Sequence, residues 1–327
     1  MNIGILGSGL IVPEFLKGSA GVAGLNVAAI CARAQSAQKA ENLAKENNIP
    51  KVYLDRTEFL ADKSIDAVYV ALPNHLHAEA SIETLNAGKH VIVEKPFASN
   101  KEQAEEMFVA AEKNGCYLFE AIACIYLPAV QKAMELLSEA GDIKIVQTNY
   151  SQYSRRYERF KNGELPPVFD VNMSGGALMD LGVYNVHFAN TLFGKPLSVQ
   201  YTANIERGID TSGTIILRYP NHICVMTAAK DCAAPCSVAV QGDKACIYSK
   251  DPANTILSLE LRRTGGETET FDYSDGKDRM TYELEVFTNM ILHKDDKAYK
   301  AAKEKTLAVM QVLDEGRTQV GIPIKVQ

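Results

Sequence analysis

Three groups of residues in this 327-residue chain have the types and spacing to do chemistry. Gly7-Ser8-Gly9-Leu10 follows an apolar run directly and opens a stretch of helical period. In that context, paired glycines allow a tight turn and let backbone approach a pyrophosphate at a helix N-terminus. Glu94-Lys95-Pro96 ends the run His90-Val91-Ile92-Val93. A lysine therefore stands at the carboxyl end of a predicted parallel strand, where open α/β sheets bind their ligands. Asp180 and Tyr184 lie four apart in the segment that begins Ser174-Gly175-Gly176-Ala177. That spacing points both side chains from one face of a helix, so the pair can share a site.

The elements that would position these groups follow from periodicity. Short apolar runs at Ile3–Leu6, Val27–Cys31, Ala67–Ala71, His90–Val93 and Tyr117–Phe119 alternate with helical stretches near 10–19, 36–47, 76–87 and 100–114. This is the pattern of βαβ units around a parallel sheet, five strands deep by residue 119. A helix from Pro128 to about Ser138 leads into longer alternating segments, Ile143–Tyr153, Val199–Glu206, Thr211–Tyr219 and His222–Ala229, which read as antiparallel strands. Tyr219-Pro220-Asn221-His222, Gly242-Asp243 and Gly265-Gly266 mark turns between strands. Residues 154–173, with Arg155, Arg156, Pro166 and Pro167, have no period and read as a long loop. Two helices near 279–293 and 298–316 close the chain. The expected architecture is α/β: a doubly wound N-terminal domain over 1–121, then an α+β domain over 122–327 built on a large, mostly antiparallel sheet. The C-terminal helices are expected to pack back toward the first domain.

Cofactor choice is argued from an absence. No Asp or Glu occurs between Glu14 and Glu41, where an acidic side chain would bind the ribose 2′-hydroxyl of NAD. Ala32-Arg33 ends the second strand instead, and a guanidinium suits a 2′-phosphate by charge and planar geometry. NADP is therefore the expected cofactor, preferred over NAD. Val12 stands where a third small residue would ease helix packing, so the glycine fingerprint is truncated.

In order along nearly the whole chain, these motifs resemble the glucose-fructose oxidoreductase, inositol dehydrogenase and rhizopine-catabolism (Gfo/Idh/MocA) family. The resemblance rests on the glycine turn, Pro73-Asn74-His75-Leu76-His77, Ala87-Gly88-Lys89-His90-Val91 leading into Glu94-Lys95-Pro96, and Gly175-Gly176-Ala177-Leu178-Met179-Asp180. Tyr184 stands where many relatives carry His. Asp180-Leu181-Gly182-Val183-Tyr184 is more similar to the branch with NADP-linked xylose dehydrogenases and dimeric dihydrodiol dehydrogenases.

The resemblance implies a Rossmann domain and hydride transfer between a nicotinamide and a carbinol carbon of a sugar, polyol or cyclic diol. It implies catalytic roles for Lys95, Asp180 and Tyr184, with Tyr184 as acid and base. A free tyrosine titrates near 10, so working at about 7 takes roughly three units, or about 4 kcal/mol of phenolate stabilisation, for which the Lys95 ammonium is the candidate source. Asp180 would orient Lys95 or a substrate hydroxyl, and the Lys95-Pro96 bond is expected to be cis. Cofactor contacts are implied for Gly7, Ser8, Gly9, Leu10, Ile11, Ala32, Arg33, Leu72, Pro73, Asn74, His77, Glu94 and Lys95. Tyr126, Arg156, Tyr157 and His187 are candidate substrate contacts. Relatives often carry an arginine near the substrate where this chain has Ile125, which favours a neutral substrate over an acidic one. Two alternatives keep the fold: redox-neutral glycoside cleavage or elimination through transient oxidation, and a non-catalytic nucleotide-sensing regulator. Retention of Lys95, Asp180 and Tyr184 together argues against the regulator, which has no use for a proton relay.

Composition narrows the partners. Thirty-four Lys and Arg against forty Asp and Glu give a net charge of −6 with no long basic stretch, which disfavours nucleic acid. The apolar start lacks a positive segment and no run approaches 18 apolar residues, so no membrane association and a cytoplasmic location are expected. Seven scattered cysteines without a Cys-x-x-Cys pair read as reduced, mostly buried thiols. The His75-x-His77 spacing has no acidic or cysteine cluster beside it, so no metal is expected. One face of the large sheet needs a cover, which predicts a homodimer or higher homo-oligomer through the C-terminal sheet.

Overall fold

The computed structural model describes residues 1–324. They group into two compact units, Met1–Ile122 with Lys277–Thr306, and Ala123–Gly276 with the residues from Leu307 onward.

The first unit is built on a six-stranded parallel sheet of β1 (Asn2–Leu6), β2 (Asn26–Cys31), β3 (Lys51–Tyr53), β4 (Ala67–Val70), β5 (His90–Glu94) and β6 (Leu118–Ala121), in the order β3-β2-β1-β4-β5-β6. The central strands are apolar throughout because helices cover both faces: Ile3, Ile5, Val68, Tyr69, Val91, Ile92 and Val93 are fully buried. Strand order reverses between β1 and β4, which is where such sheets open a crevice at their carboxyl ends. Helices α1 (Val12–Ser19), α2 (Ala37–Glu46), α3 (Arg56–Ala61), α4 (His77–Asn86) and α5 (Lys101–Lys113) connect the strands. β3 and α3 are additions to the expected pattern. β3 is three residues long, lies at the sheet edge and is largely exposed, so it has no apolar run to read. Asp55 and Asn100 cap α3 and α5 by accepting from Glu58 N–H at 2.9 Å and Gln103 N–H at 2.8 Å.

Helix α9 (Arg279–His293) belongs to this unit and packs on α1. Thr281 donates its hydroxyl to Gly18 O at 2.9 Å, and a Cβ on Gly18 would lie 2.7 Å from Met280 Cβ, so glycine is what lets the helices approach.

The second unit carries an eight-stranded sheet of β7 (Ile143–Ser151), β8 (Ser198–Glu206), β9 (Ile209–Arg218), β10 (Ile223–Ala229), β11 (Ser237–Gly242), β12 (Ala245–Ser249), β13 (Ser258–Arg263) and β14 (Thr268–Asp272). Their order is β14-β13-β12-β11-β7-β10-β9-β8. All pairings are antiparallel except that of β7 with β10, which run parallel at the centre, so the sheet is mostly antiparallel as expected. Alternation survives: Val146, Cys224, Met226, Val238, Val240 and Ile247 point into the unit, while Ile145, Ile216, Ile223, Val225 and Tyr248 on the other face keep partial exposure. Helix α6 (Pro128–Ala140) packs against β12 and β13, and α8 (Val183–Phe193) against β10.

Residues 154–173 are not a structureless loop. They hold α7 (Arg155–Lys161) and two short 3₁₀ turns, and Tyr157, Phe160 and Phe169 form a buried cluster with Ile209 and Ile322. Within α7 only Tyr157 and Phe160 are buried, too few to show a helical period, yet aromatic stacking closes the segment on itself, with Phe160 and Phe169 centroids 4.8 Å apart. The last helix, α10 (Asp296–Gln319), contributes residues to each unit. Among the described residues, no helix is long and apolar enough to cross a membrane.

Candidate functional site

In the first unit the glycine turn joins β1 to α1 at the switch point. Gly7 has φ +121°, and a Cβ there would lie 2.3 Å from Ala71 O, so its glycine is demanded by the protein itself. Gly9 is different. A Cβ on it would meet only Ala71 O at an ordinary 3.7 Å, so neither the fold nor the backbone conformation requires glycine. Open ground above Gly9 at a helix start is what a close-approaching pyrophosphate needs, and on this observation the residues present fit a dinucleotide. Leu10 is 77% exposed beside it. Ala32 is buried at the end of β2, its N–H donating to Tyr53 O at 3.1 Å. Arg33 follows on the surface, and its guanidinium makes no hydrogen bond or ion pair among the described residues.

β5 delivers Lys95, half-buried, and the Lys95-Pro96 peptide is cis, as the resemblance implies. Glu94 faces inward: the buried Tyr69 hydroxyl donates to it, and its Oε2 accepts from Lys95 N–H at 3.2 Å. Burial pushes the Glu94 carboxyl up. His77, fully buried at the start of α4, has its ring nitrogens 2.9 Å from Pro96 O and 2.8 Å from Leu72 O. The ring therefore ties the segment after β4 to the segment after β5, and burial pushes its pKa down.

In the second unit Asp180 lies in a π-helical turn, Leu178–Gly182, that runs directly into α8, where Tyr184 is the second residue. Such turns are rare and recur at functional sites. Tyr184 is buried and its ring centroid lies 6.1 Å from that of Tyr150. Asp180 Oδ2 forms an ion pair with Lys230 Nζ, one residue past β10. The turn begins on another acid. Asp210 Oδ2 of β9 accepts from Leu178 N–H at 2.7 Å and from the Tyr201 hydroxyl at 2.8 Å. Neither Lys230 nor Asp210 stood out in the sequence; the only available signal was a charge inside an otherwise apolar alternating strand pattern.

Comparison with known proteins supplies the rest. The profile described as an oxidoreductase family with an NAD-binding Rossmann fold (GFO_IDH_MocA) matches residues 1–122, and a GFO/IDH/MocA C-terminal domain matches residues 130–248. A scyllo-inositol 2-dehydrogenase (NADP(+)) of Bacillus subtilis is 33% identical over 323 residues, covering 98% of each chain. The chain belongs to the Gfo/Idh/MocA oxidoreductase family. A trans-1,2-dihydrobenzene-1,2-diol dehydrogenase of Xenopus tropicalis is 28% identical over 335 residues, again covering 98% of each. Among solved structures, a 3-ketoreductase of Actinomadura kijaniata in complex with NADP and TDP-benzene superposes with a TM-score of 0.85 at 22% identity, covering 98% of this chain and 97% of that one. A levoglucosan dehydrogenase in complex with NADH and levoglucosan gives 0.83 at 19%, covering 98% and 96%.

For this family member, several expected contacts fall elsewhere. Glu94 is turned toward Tyr69 and its own following backbone rather than outward, because it closes the buried end of β5. His77 is enclosed with both ring nitrogens against carbonyl oxygens, which makes it a brace for Leu72 and Pro96 and not a surface for a cofactor. Tyr157 is spent inside the aromatic cluster, where it donates to Glu206 Oε1 at 2.6 Å, and that carboxylate raises its pKa to about 12. His187 is 1% exposed on the inner side of α8, and Arg156 lies on the exposed face of α7. Gly7, Gly9, Ile11, Leu72, Pro73 and Asn74 gather around the carboxyl ends of β1 and β4, with Asn74 opening the 3₁₀ turn before α4. Tyr126, half-buried, ends a 3₁₀ turn before α6. All seven cysteines are free, four of them buried, and Cys232 is exposed. Among the described residues no group of three or more His, Cys, Asp or Glu could hold a metal ion.

Proposed function

We propose that this oxidoreductase uses NADP(H) in preference to NAD(H) and acts on a CH–OH group of a neutral sugar, polyol or cyclic diol. The observation that carries the reading is the arrangement of Asp180 and Tyr184, a carboxylate and a phenol one helical turn apart on an element fastened to the end of β10. When bound, the nicotinamide supplies hydride chemistry. Tyr184 accepts the hydroxyl proton in oxidation and returns it in reduction, Lys95 supplies the positive charge a phenolate requires, and Asp180 holds a substrate hydroxyl. Gly7 and Gly9 leave room for the pyrophosphate. The guanidinium of Arg33, exposed and uncommitted at the end of β2, takes a 2′-phosphate. The full-length similarity to an NADP-linked scyllo-inositol dehydrogenase supports the same class of substrate. The half-exposed face of the large sheet, with Ile145, Ile216 and Tyr248, is the surface on which a second copy of the chain would sit.

The test is reduced-cofactor absorbance with NADP and NAD in parallel against aldoses, inositols and cyclic diols. A rise with NADP and one substrate class is expected, and Tyr184→Phe is expected to keep NADPH binding while turnover falls by at least about two orders of magnitude. Tyr184→Phe turning over at the wild-type rate would remove the phenol from the mechanism.

A further inference from the structure

We infer that Lys230 is a positioning residue for the reaction: its ammonium fixes Asp180 as the group that holds a substrate hydroxyl. This deepens the function proposed above and rests on it.

Lys230 is held by its backbone from two sides. Its N–H donates to Thr211 O at 2.8 Å, and its carbonyl accepts from Ser154 N–H at 2.9 Å. Its side chain is 7% exposed, whereas that of its partner Asp180 is 28% exposed. The ammonium is thus the more enclosed of the two and the carboxylate the more accessible. An enclosed ion pair of this kind is a weak source of stability, because well-packed apolar groups of the same volume commonly do as well. What the pair provides is an ionised carboxylate in a fixed direction, and an ionised acceptor makes a stronger bond to a hydroxyl than a neutral one.

The direction is set in register with Tyr184. Three successive links run from the end of β10 to the helix that carries both residues. Asn185 donates its side-chain N–H to Thr227 O at 3.0 Å. Gly182 lies against Ala228, where a Cβ would come within 3.6 Å of Ala228 Cβ and 2.8 Å of Leu178 Cδ1. Lys230 then takes Asp180. The first two links fix the helix; the third reaches the carboxylate itself. The pair is also neutral overall, so it adds no net charge that would draw an acidic substrate.

Four proteins test this: Lys230→Met, Lys230→Arg, Asp180→Asn and the double variant, each assayed on the best substrate of the panel above. Lys230→Met is expected to raise KM by about tenfold or more, the size of one hydrogen bond to a charged group, with NADPH affinity within about twofold of wild type. Lys230→Arg restores KM to within about threefold, and in the Asp180→Asn background the methionine changes KM by less than about twofold. An unchanged KM in Lys230→Met, an arginine no better than methionine in a protein that melts like wild type, or a tenfold effect persisting without Asp180 would each overturn the inference. Wild-type protein inert toward the whole panel would overturn the proposed function itself. Thermal unfolding of wild type, Lys230→Met, Asp180→Asn and the double variant needs no substrate and separates the two failures: additive losses would overturn the pairing, and non-additive losses support it.

Discussion

Replacing Asp210 with asparagine changes how stability depends on pH by an amount that follows from its surroundings. The carboxyl is 1% exposed, and burial pushes its pKa from 3.8 to about 6, although Leu178 N–H, the Tyr201 hydroxyl and the nearby Arg317 guanidinium all favour the ionised form. A carboxyl whose folded pKa lies above its unfolded value holds its proton more tightly in the folded chain. Its contribution to stability is therefore fully present below the unfolded value and is lost as pH rises through the folded one. A shift of about two units at 1.36 kcal/mol each comes to about 3 kcal/mol. Asparagine fills the same space without titrating, so wild-type stability relative to Asp210→Asn should fall by about 3 kcal/mol between about pH 3 and pH 7. Urea unfolding of both proteins at each pH gives that difference directly, and groups common to the two cancel. A flat difference, or one that grows with pH, would refute the reasoning. The hydrogen bonds from Leu178 and Tyr201 would then outweigh burial.

Other perturbations separate residues the fold needs from residues a ligand needs. Gly7→Ala should lower the melting temperature by several degrees, since its Cβ would lie 2.3 Å from Ala71 O, whereas Gly9→Ala should melt like wild type and bind NADPH at least about tenfold more weakly by fluorescence titration. Arg33→Ser is expected to raise the dissociation constant for NADPH by about tenfold or more and leave that for NADH unchanged; equal losses would remove the 2′-phosphate from the explanation. Tyr157→Phe gives up the bond to Glu206 and should cost about 1 kcal/mol in urea unfolding without moving KM, because that hydroxyl is committed inside the aromatic cluster.

Much of this was legible beforehand because the signals were local. The parallel strands are short runs buried on both faces, so β1, β2, β4, β5 and β6 announce themselves as unbroken apolar stretches. Gly7, Gly9, Lys95, Asp180 and Tyr184 sit in motifs a few residues long. The misses share a different cause. β3 escapes because an exposed edge strand has no apolar run, and α7 because its buried face consists of only Tyr157 and Phe160. The parallel pairing of β7 with β10 is a contact between segments more than seventy residues apart, and alternation alone carries no strand direction. Glu94 and His77 are expected at the cofactor from their motifs, whereas both side chains are bonded inward. Whether a side chain at a strand end faces a ligand or the interior depends on neighbours such as Tyr69 and Pro96 that only the folded chain supplies.

The same distinction bears on how the helix of Asp180 and Tyr184 is held. Its start hangs on Asp210 and its flank on Lys230, two charges brought from neighbouring strands, β9 and the end of β10. Gly176 reinforces the first anchor, since a Cβ there would lie 2.1 Å from Asp210 Oδ1. Loss of either anchor would disturb Asp180 and Tyr184 without altering them, so a fall in turnover alone does not identify a proton-transfer group. The two cases part on stability. Tyr184→Phe removes one hydroxyl from an element whose supports remain intact, while Gly176→Ala forces Asp210 from its place at the N–H of Leu178 and must show itself in unfolding as well as in turnover. A variant that loses turnover yet melts like wild type therefore points to a reacting group such as Tyr184, and one that loses both points to the anchors or to Asp180, which is paired with one of them.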